Sequence, residues 1–397
     1  MTPIEFVAPY YYNITYYFTF LILTWFTILY YVGSSDQKIL RAEGGSLSQM
    51  LALVCTVFFI FYLGLRPVTY DFIDMPMYAY TYESIDITAA DYAPMGLHSE
   101  WFWRNFGLFC VHMGMNVNEY FFMIELFYLG GMFVCCMLLM RENLWLSMLF
   151  FFTAFSTYSY GTNGVRNGLA CSMELVAMCL LVQKSQLKKI WSYILMFLAL
   201  GVHRSTLLPS FAALATVYVV KDTKWAFRFW LISIALSLTV GPLVEQIFVT
   251  LGFDDRMTSY GQYDTDRQAE LFSHTGFRWD FLLYSSGPVA MIWYVSRYRR
   301  FTDITYTMFA NTYLLCNAFW IIVIRASFSN RFAYLSWFLY PVVIAYPLLR
   351  MNLWKDQDRK TAIILFLYSA FLFFMYFIYY FGTSGFKGFD LYWWKKA

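Results

Sequence analysis

Asn163-Gly164-Val165-Arg166-Asn167-Gly168-Leu169-Ala170 opens an apolar run that continues to about residue 183, and Val202-His203-Arg204-Ser205-Thr206-Leu207-Leu208-Pro209 joins two further runs of the same kind. In each stretch a cation stands at the lip of a segment apolar enough to enter hydrocarbon. Arginine is costly there unless an anion, a water-filled cavity or the bilayer interface receives its charge. The two stretches therefore put the chain in a membrane and mark where its polar chemistry gathers.

Composition agrees. The chain is 60% hydrophobic and 23% aromatic with 13% charged residues, and its mean hydropathy is +0.51. Soluble domains carry about 25% charge, so a soluble globular protein is excluded. Apolar stretches of roughly 17–25 residues, the length a helix needs to cross hydrocarbon, recur along the chain. The expected fold class is an all-α polytopic membrane protein, one integral membrane domain over residues 1–397. Hydropathy predicts about twelve transmembrane helices, at 14–32, 47–65, 119–140, 144–160, 166–183, 190–204, 205–220, 228–249, 279–296, 303–325, 332–350 and 361–381. Outer loops at about 66–118 and 250–278 are expected to form a cavity. Met1–Asn13 lacks basic residues and Ile14–Val32 is as long as a span, so no cleavable signal is expected. The seven cysteines lie in or beside apolar segments without a metal-type C-x-x-C spacing, and buried free thiols are expected. The net charge of +3 is small; nucleic acid is not an expected partner, and no cofactor or metal is implied.

Placement of charge is more informative. Lys38, Lys184, Lys188, Lys189, Lys221, Lys224, Lys355 and Lys360 fall in one set of loops with Arg228, Arg297, Arg299 and Arg300. The positive-inside rule assigns this side to the cytoplasm. The other side collects Arg66, Arg104, Arg166, Arg204, Arg256, Arg267, Arg278, Arg325 and Arg331, most of them at helix ends. A guanidinium presents a planar fork matched to phosphate oxygens, whereas an ammonium is a hydrated point charge. A phosphate or diphosphate in the outer leaflet accounts for that choice. The outer loops also mix Asp71, Asp74, Glu83, Asp86, Asp91 and Glu100 with Tyr70, Tyr78, Tyr80, Trp101 and Trp103, and Asp254, Asp255, Asp264 and Asp266 with Tyr260 and Tyr263. Carboxylates bind hydroxyls and aromatic faces stack on sugar rings, so a carbohydrate suits these loops; acidic loops also serve simply to stay hydrated.

Each candidate has a plainer alternative. Arg166 sits at a helix N-terminus, which favours anions, with Asn163, Gly164 and Gly168 allowing close backbone approach; the alternative is a snorkelling anchor. His203 beside Arg204 is suited to take a proton from a sugar hydroxyl, or to be an interfacial imidazole tied to a carbonyl. Arg66, Asp71, Asp74 and Tyr78 open the first outer loop and either activate an acceptor or form a structural ion pair. Arg278 and Asp280 begin one span, and Arg325, Asn330 and Arg331 bracket a turn as a diphosphate clamp, with snorkelling again the alternative. Asp264-Thr265-Asp266 matches a D-x-D metal–nucleotide pattern but faces away from the expected cytoplasm. Glu125, Glu174 and Glu245 are expected to be internal hydrogen-bond partners.

Gly64-Leu65-Arg66-Pro67 with Asp74 and Tyr78, then Asn163–Ala170, His203-Arg204-Ser205, Phe277-Arg278-Trp279-Asp280-Phe281-Leu282-Leu283-Tyr284 and Asn330-Arg331-Phe332-Ala333-Tyr334 occur in that order. The series resembles the EpsG-like family of bacterial exopolysaccharide and capsule proteins, related to Wzy-type O-antigen polymerases, from about residue 60 to 350. The resemblance implies a GT-C-like, metal-independent glycosyltransferase in the cytoplasmic membrane that uses undecaprenyl-diphosphate-linked oligosaccharides at the periplasmic face. It implies that Arg166, Arg278, Arg325 and Arg331 hold diphosphate, that His203 or Asp74 activates the acceptor, and that Arg66, Tyr78, Glu100, Asn163, Arg204, Asp280 and Asn330 bind substrate. A flippase and a chain-length regulator are the implied partners beside the bilayer. Relatives often carry Lys at the place of Arg204, which makes that position a requirement for a cation. The alternatives are a polysaccharide flippase or exporter, a ligase-like glycan transferase, and an acyltransferase built on His203.

Overall fold

α1 (Tyr12–Gly33) and α2 (Ser46–Gly64) are almost wholly apolar. Hydrocarbon offers backbone groups no hydrogen-bond partner, so such a segment satisfies its own by forming a helix. The computed structural model describes residues 1–33, 46–85, 100–250, 277–301, 303–324 and 329–384, and these are helical with no strand among them. After α2 come α3 (Met75–Glu83), α4 (Trp101–His112), α5 (Val117–Met140), α6 (Leu144–Phe152), α7 (Phe155–Thr162), α8 (Val165–Leu181), α9 (Gln186–Val202), α10 (Leu207–Tyr218) and α11 (Thr223–Thr250). Then follow α12 (Trp279–Trp293), which runs into a π turn at Tyr294–Tyr298, α13 (Ile304–Ile322), α14 (Ser329–Trp337), α15 (Tyr340–Arg350) and α16 (Gln357–Ser384).

Local chemistry sets several boundaries. Asn116 accepts from the amides of Asn118 and Glu119, both at 3.0 Å, while Glu119 accepts from the Asn116 amide at 2.9 Å. This reciprocal capping starts α5. The chain then folds back at Arg141–Asn143. Trp145 Nε1 donates to Thr27 Oγ1 at 3.0 Å, and the Phe152 carbonyl accepts from the Tyr16 hydroxyl at 2.9 Å, so α6 runs antiparallel to α1. At Thr153–Ala154 the helix breaks before α7 resumes it. The carbonyls left over are taken by the Tyr16 hydroxyl and by Thr157 Oγ1, which donates to Phe151 O at 2.6 Å. A second break, at Phe338–Leu339, separates α14 from α15, with Pro341 in the first turn of the latter.

Every stretch predicted as a span contains a helix. Among the described residues, four helical stretches are long and apolar enough to cross a membrane: Pro9–Tyr30, Leu47–Gly64, Val117–Phe152 and Phe332–Arg350. The remainder are shortened by breaks or carry polar groups. Where described, the outer interval 66–118 holds α3 and α4. The second interval, 250–278, lies almost wholly outside the described residues, as do Arg256, Arg267 and the Asp264–Asp266 pattern.

The interior is aromatic, with Trp320, Trp337, Tyr16, Tyr128, Tyr160 and Tyr313 fully buried. Several of their polar ends are tied off: Tyr128 donates to Thr157 O at 3.0 Å, Tyr313 to Ser285 O at 2.8 Å and Trp337 Nε1 to Ser285 Oγ at 2.8 Å. Trp25, Phe26, Leu29, Val54 and Phe197 face outward, the reverse of a soluble bundle. All seven cysteines are free.

One buried ion pair joins three helices. Arg66 and Glu125 have side chains 0% and 1% exposed, with Nη1 3.5 Å from Oε1. Arg66 Nη2 also donates to the Thr162 carbonyl at 3.2 Å, Nη1 donates to the Leu63 carbonyl, and the Phe72 and Phe121 rings lie 5.2 and 5.6 Å away. The end of α2 is thereby fastened to α5 and to the end of α7. Removing one member leaves a buried charge without compensation, which costs about 3–5 kcal/mol, whereas an apolar pair of similar volume is often tolerated. Glu125→Leu is therefore expected to lower the thermal stability of the detergent-solubilised protein more than the double change Arg66→Met/Glu125→Leu. Equal or greater loss in the double variant contradicts the account.

Candidate functional site

The segments around Arg66, Asp74, Asn163, Arg166, His203 and Arg278 meet at one end of the bundle. Asn163 caps α7, and its Oδ1 accepts from the Asp74 amide at 3.2 Å. This bond draws the start of α3 onto the turn between α7 and α8. Asp74 makes no side-chain capping bond to α3. Tyr78, one turn later, stands edge-on to Trp103 at 5.9 Å, so α3 is also held against α4. Asp71, the other carboxylate considered, is exposed and accepts from Thr69 Oγ1 at 3.1 Å.

Arg166 lies in the first turn of α8 and forms an ion pair with Glu100. Among the described residues its buried Nε has no hydrogen-bond partner. Glu100 precedes α4 with φ 44°, in the left-handed region that costs a residue bearing Cβ strain energy. Its position is set from the far side by Gly201 near the end of α9. A Cβ there would come within 2.6 Å of Trp101 and 2.8 Å of Phe102. Only glycine lets α9 approach the start of α4 so closely. Gly168, expected to admit a ligand, instead admits helix packing, since a Cβ there would lie 2.9 Å from Tyr160 Cβ.

His203 ends α9 in extended backbone. Its Nδ1 lies 3.3 Å from the Ser205 amide and 2.9 Å from Ser205 Oγ. A backbone N–H only donates, so Nδ1 accepts and the neutral ring carries its proton on Nε2. Arg204 is exposed in the turn that leads to α10. Arg278 grips Asp280 through both arms of its fork, Nε to Oδ1 at 3.0 Å and Nη2 to Oδ2 at 2.6 Å, with its guanidinium 3.6 Å from the centre of the Phe281 ring.

Arg325 lies outside the described residues, and Asn330 and Arg331 are placed by backbone alone in the first turn of α14. That turn is at the same end of the bundle, because Tyr334 donates to Ser159 Oγ at 3.2 Å and packs on Tyr160 at 4.8 Å. Arg66 lies beneath the surface with no exposed area. Burial lowers its pKa, and Glu125 opposes that fall. Its guanidinium supports the turn that carries Asn163 and does not reach the surface.

The outer arginines are thus brought to one end, and three of them meet a carboxylate. Arg166 has Glu100, Arg278 has Asp280 and Arg66 has Glu125. The pairing of Asn163 with Asp74, the Ser205 contact to His203 and the wedge at Gly201 were not anticipated from sequence. Only Ser205, two residues from its partner, offered a local signal. Among the described residues no cluster of three His, Cys, Asp or Glu side chains is arranged to hold a metal ion. Beside α3 a cavity of about 370 Å³ is lined by Pro76, Tyr80, Glu83 and Asn118, a mixture of ring, carboxylate and amide.

No curated protein and no solved structure matches this chain. The model of the EpsG family matches residues 50–390, a range that includes every candidate residue from Arg66 to Arg331. With most of its length inside that match, the chain belongs to the EpsG family.

Proposed function

We propose that this chain, a membrane polysaccharide polymerase by its family, transfers a growing glycan from undecaprenyl diphosphate to a hydroxyl of an incoming lipid-linked repeat unit. The acceptor oxygen bonds to the anomeric carbon, and the bond from that carbon to the diphosphate breaks. The hydroxyl proton goes to a protein base, and the charge left on the diphosphate is held by guanidinium groups. Fixed donors in a dry site are worth more to that developing charge than they are in water.

The observation that supports this reading is Arg166. It stands at a helix N-terminus with a buried, unpartnered Nε, beside the turn where Asn163 holds Asp74. Glu100 occupies its fork, and an incoming diphosphate exchanges with that carboxylate. Arg278 serves likewise against Asp280, while Arg204, Arg325, Asn330 and Arg331 complete the anion site. Asp74 is the base. His203 is the donor, because its Nε2 proton suits a phosphate or sugar oxygen better than a hydroxyl proton about to leave. Tyr78 and Glu100 face the glycan. The Lys/Arg bias of the loops supports a periplasmic site in the bacterial cytoplasmic membrane, supplied by a flippase and tuned by a chain-length regulator.

A second reading, polysaccharide export, is favoured by one observation: Glu174 is fully buried within the bundle and accepts from Ser210 Oγ, a polar group deep in the path. Purified protein with lipid-linked repeat units separates the two, because transport alone makes no polymer in detergent. A ligase differs only in its acceptor.

Three outcomes are expected in that assay, read as glycan ladders. Arg166→Ala lowers the rate at least ~100-fold while the protein still inserts; unchanged chain lengths contradict the anion site. Asp74→Asn falls by about 10²–10⁴-fold, whereas His203→Gln, which keeps an N–H donor, retains most activity; the reverse order assigns the base to His203. Glu100→Gln lowers the KM for the lipid-linked donor by releasing Arg166, and an unchanged or raised KM contradicts that exchange.

A further inference from the structure

A cavity of about 770 Å³ opens at the opposite end of the bundle, between the start of α11, the π turn after α12 and the start of α13. Lys221, Lys224, Arg228, Arg297 and Arg300 line it, against the single carboxylate of Asp222. Ordinary topology signals explain basic residues at this end but not their convergence on one hollow. Asp222 caps the start of α11 through the Lys224 amide at 2.9 Å and lies 3.9 Å from Lys224 Nζ. Among the described residues Lys221, Arg297 and Arg300 make no ion pair, and Arg228 faces only the Trp225 ring at 5.2 Å. Arg300, which lines the cavity, is held at φ 51°, a left-handed backbone that is unfavourable for arginine.

The surroundings identify the kind of anion. Trp293 forms part of the wall, and Trp225, Tyr218 and Tyr298 beside it are exposed. Exposed Trp and Tyr next to cations are the signature of the bilayer interface. The hollow therefore opens at headgroup level, where a phosphate meets the cations and the glycerol or acyl part meets the rings. We propose that this cavity binds the phosphate headgroup of an anionic membrane lipid on the face away from the candidate active site. The proposal stands independently of the polymerase reading.

Native mass spectrometry of the full chain, released from nanodiscs that contain phosphatidylglycerol and phosphatidylcholine, tests it. Phosphatidylglycerol is expected to remain bound, and Arg228→Gln/Arg297→Gln should show on the order of tenfold fewer adducts. Lys188→Gln/Lys189→Gln, which removes the same charge from the start of α9 at the same end of the bundle, should leave them unchanged. Equal loss in both pairs reduces the effect to diffuse attraction and overturns the proposal, as does full retention in the cavity pair. A further arm uses the wild-type chain and needs no substitution: inorganic pyrophosphate should displace phosphatidylglycerol but not phosphatidylcholine. Pyrophosphate binding without loss of lipid shows a soluble anion to be the ligand and overturns the lipid assignment.

Discussion

A guanidinium sealed inside the protein, Arg66 against Glu125, is the constraint on which the candidate site rests. Each charge is tolerated at its depth only because the other is there, and Arg66 Nη1 and Nη2 also donate to the carbonyls of Leu63 and Thr162. Thr162 is the residue before Asn163, so the pair fixes the height and direction of the turn from which Asn163 reaches Asp74. Arg166 follows one short step into α8. The polar chemistry of this end is held from below by electrostatics rather than from the outer loops.

The three arginine–carboxylate pairs at this end grade from sealed to open. Arg66 is wholly enclosed, Arg166 and Glu100 are 16% and 26% exposed, and Asp280 beside Arg278 is 42% exposed. A closed pair is structural because no ligand reaches it. A half-open pair remains accessible from solvent, and on the proposed reading an incoming anion replaces its carboxylate without creating a bare charge in an apolar setting.

Helices were legible in the sequence where apolar length decided them, as in α1, α2 and α5. Breaks were less so. Nothing in Phe152-Thr153-Ala154-Phe155 marks an interruption, since neither glycine nor proline is present, and it follows from the contacts of Tyr16 and Thr157. α4 was hidden for another reason: its run of Trp101, Phe102, Trp103 and Phe106 is interrupted by Arg104 and Asn105, and hydropathy reads such a mixture as a loop. At the site, residue types were legible and partners were not. Arg66, Arg166 and His203 announce themselves at helix ends, but which carboxylate meets which cation depends on helices far apart in sequence.

The interrupted helices bear on how the chain is made. α6 and α7 together, and α14 and α15 together, are long enough to span, but their pieces of 9, 8, 9 and 11 residues are not. The Phe151 carbonyl is served locally by Ala154 and Thr157, but that of Phe152 accepts from Tyr16 of another helix. Such a segment is poorly served by lipid until its neighbour arrives. Biogenesis of this protein must therefore deliver α1 before α6 settles, so that assembly order is written into the backbone as well as into the loops.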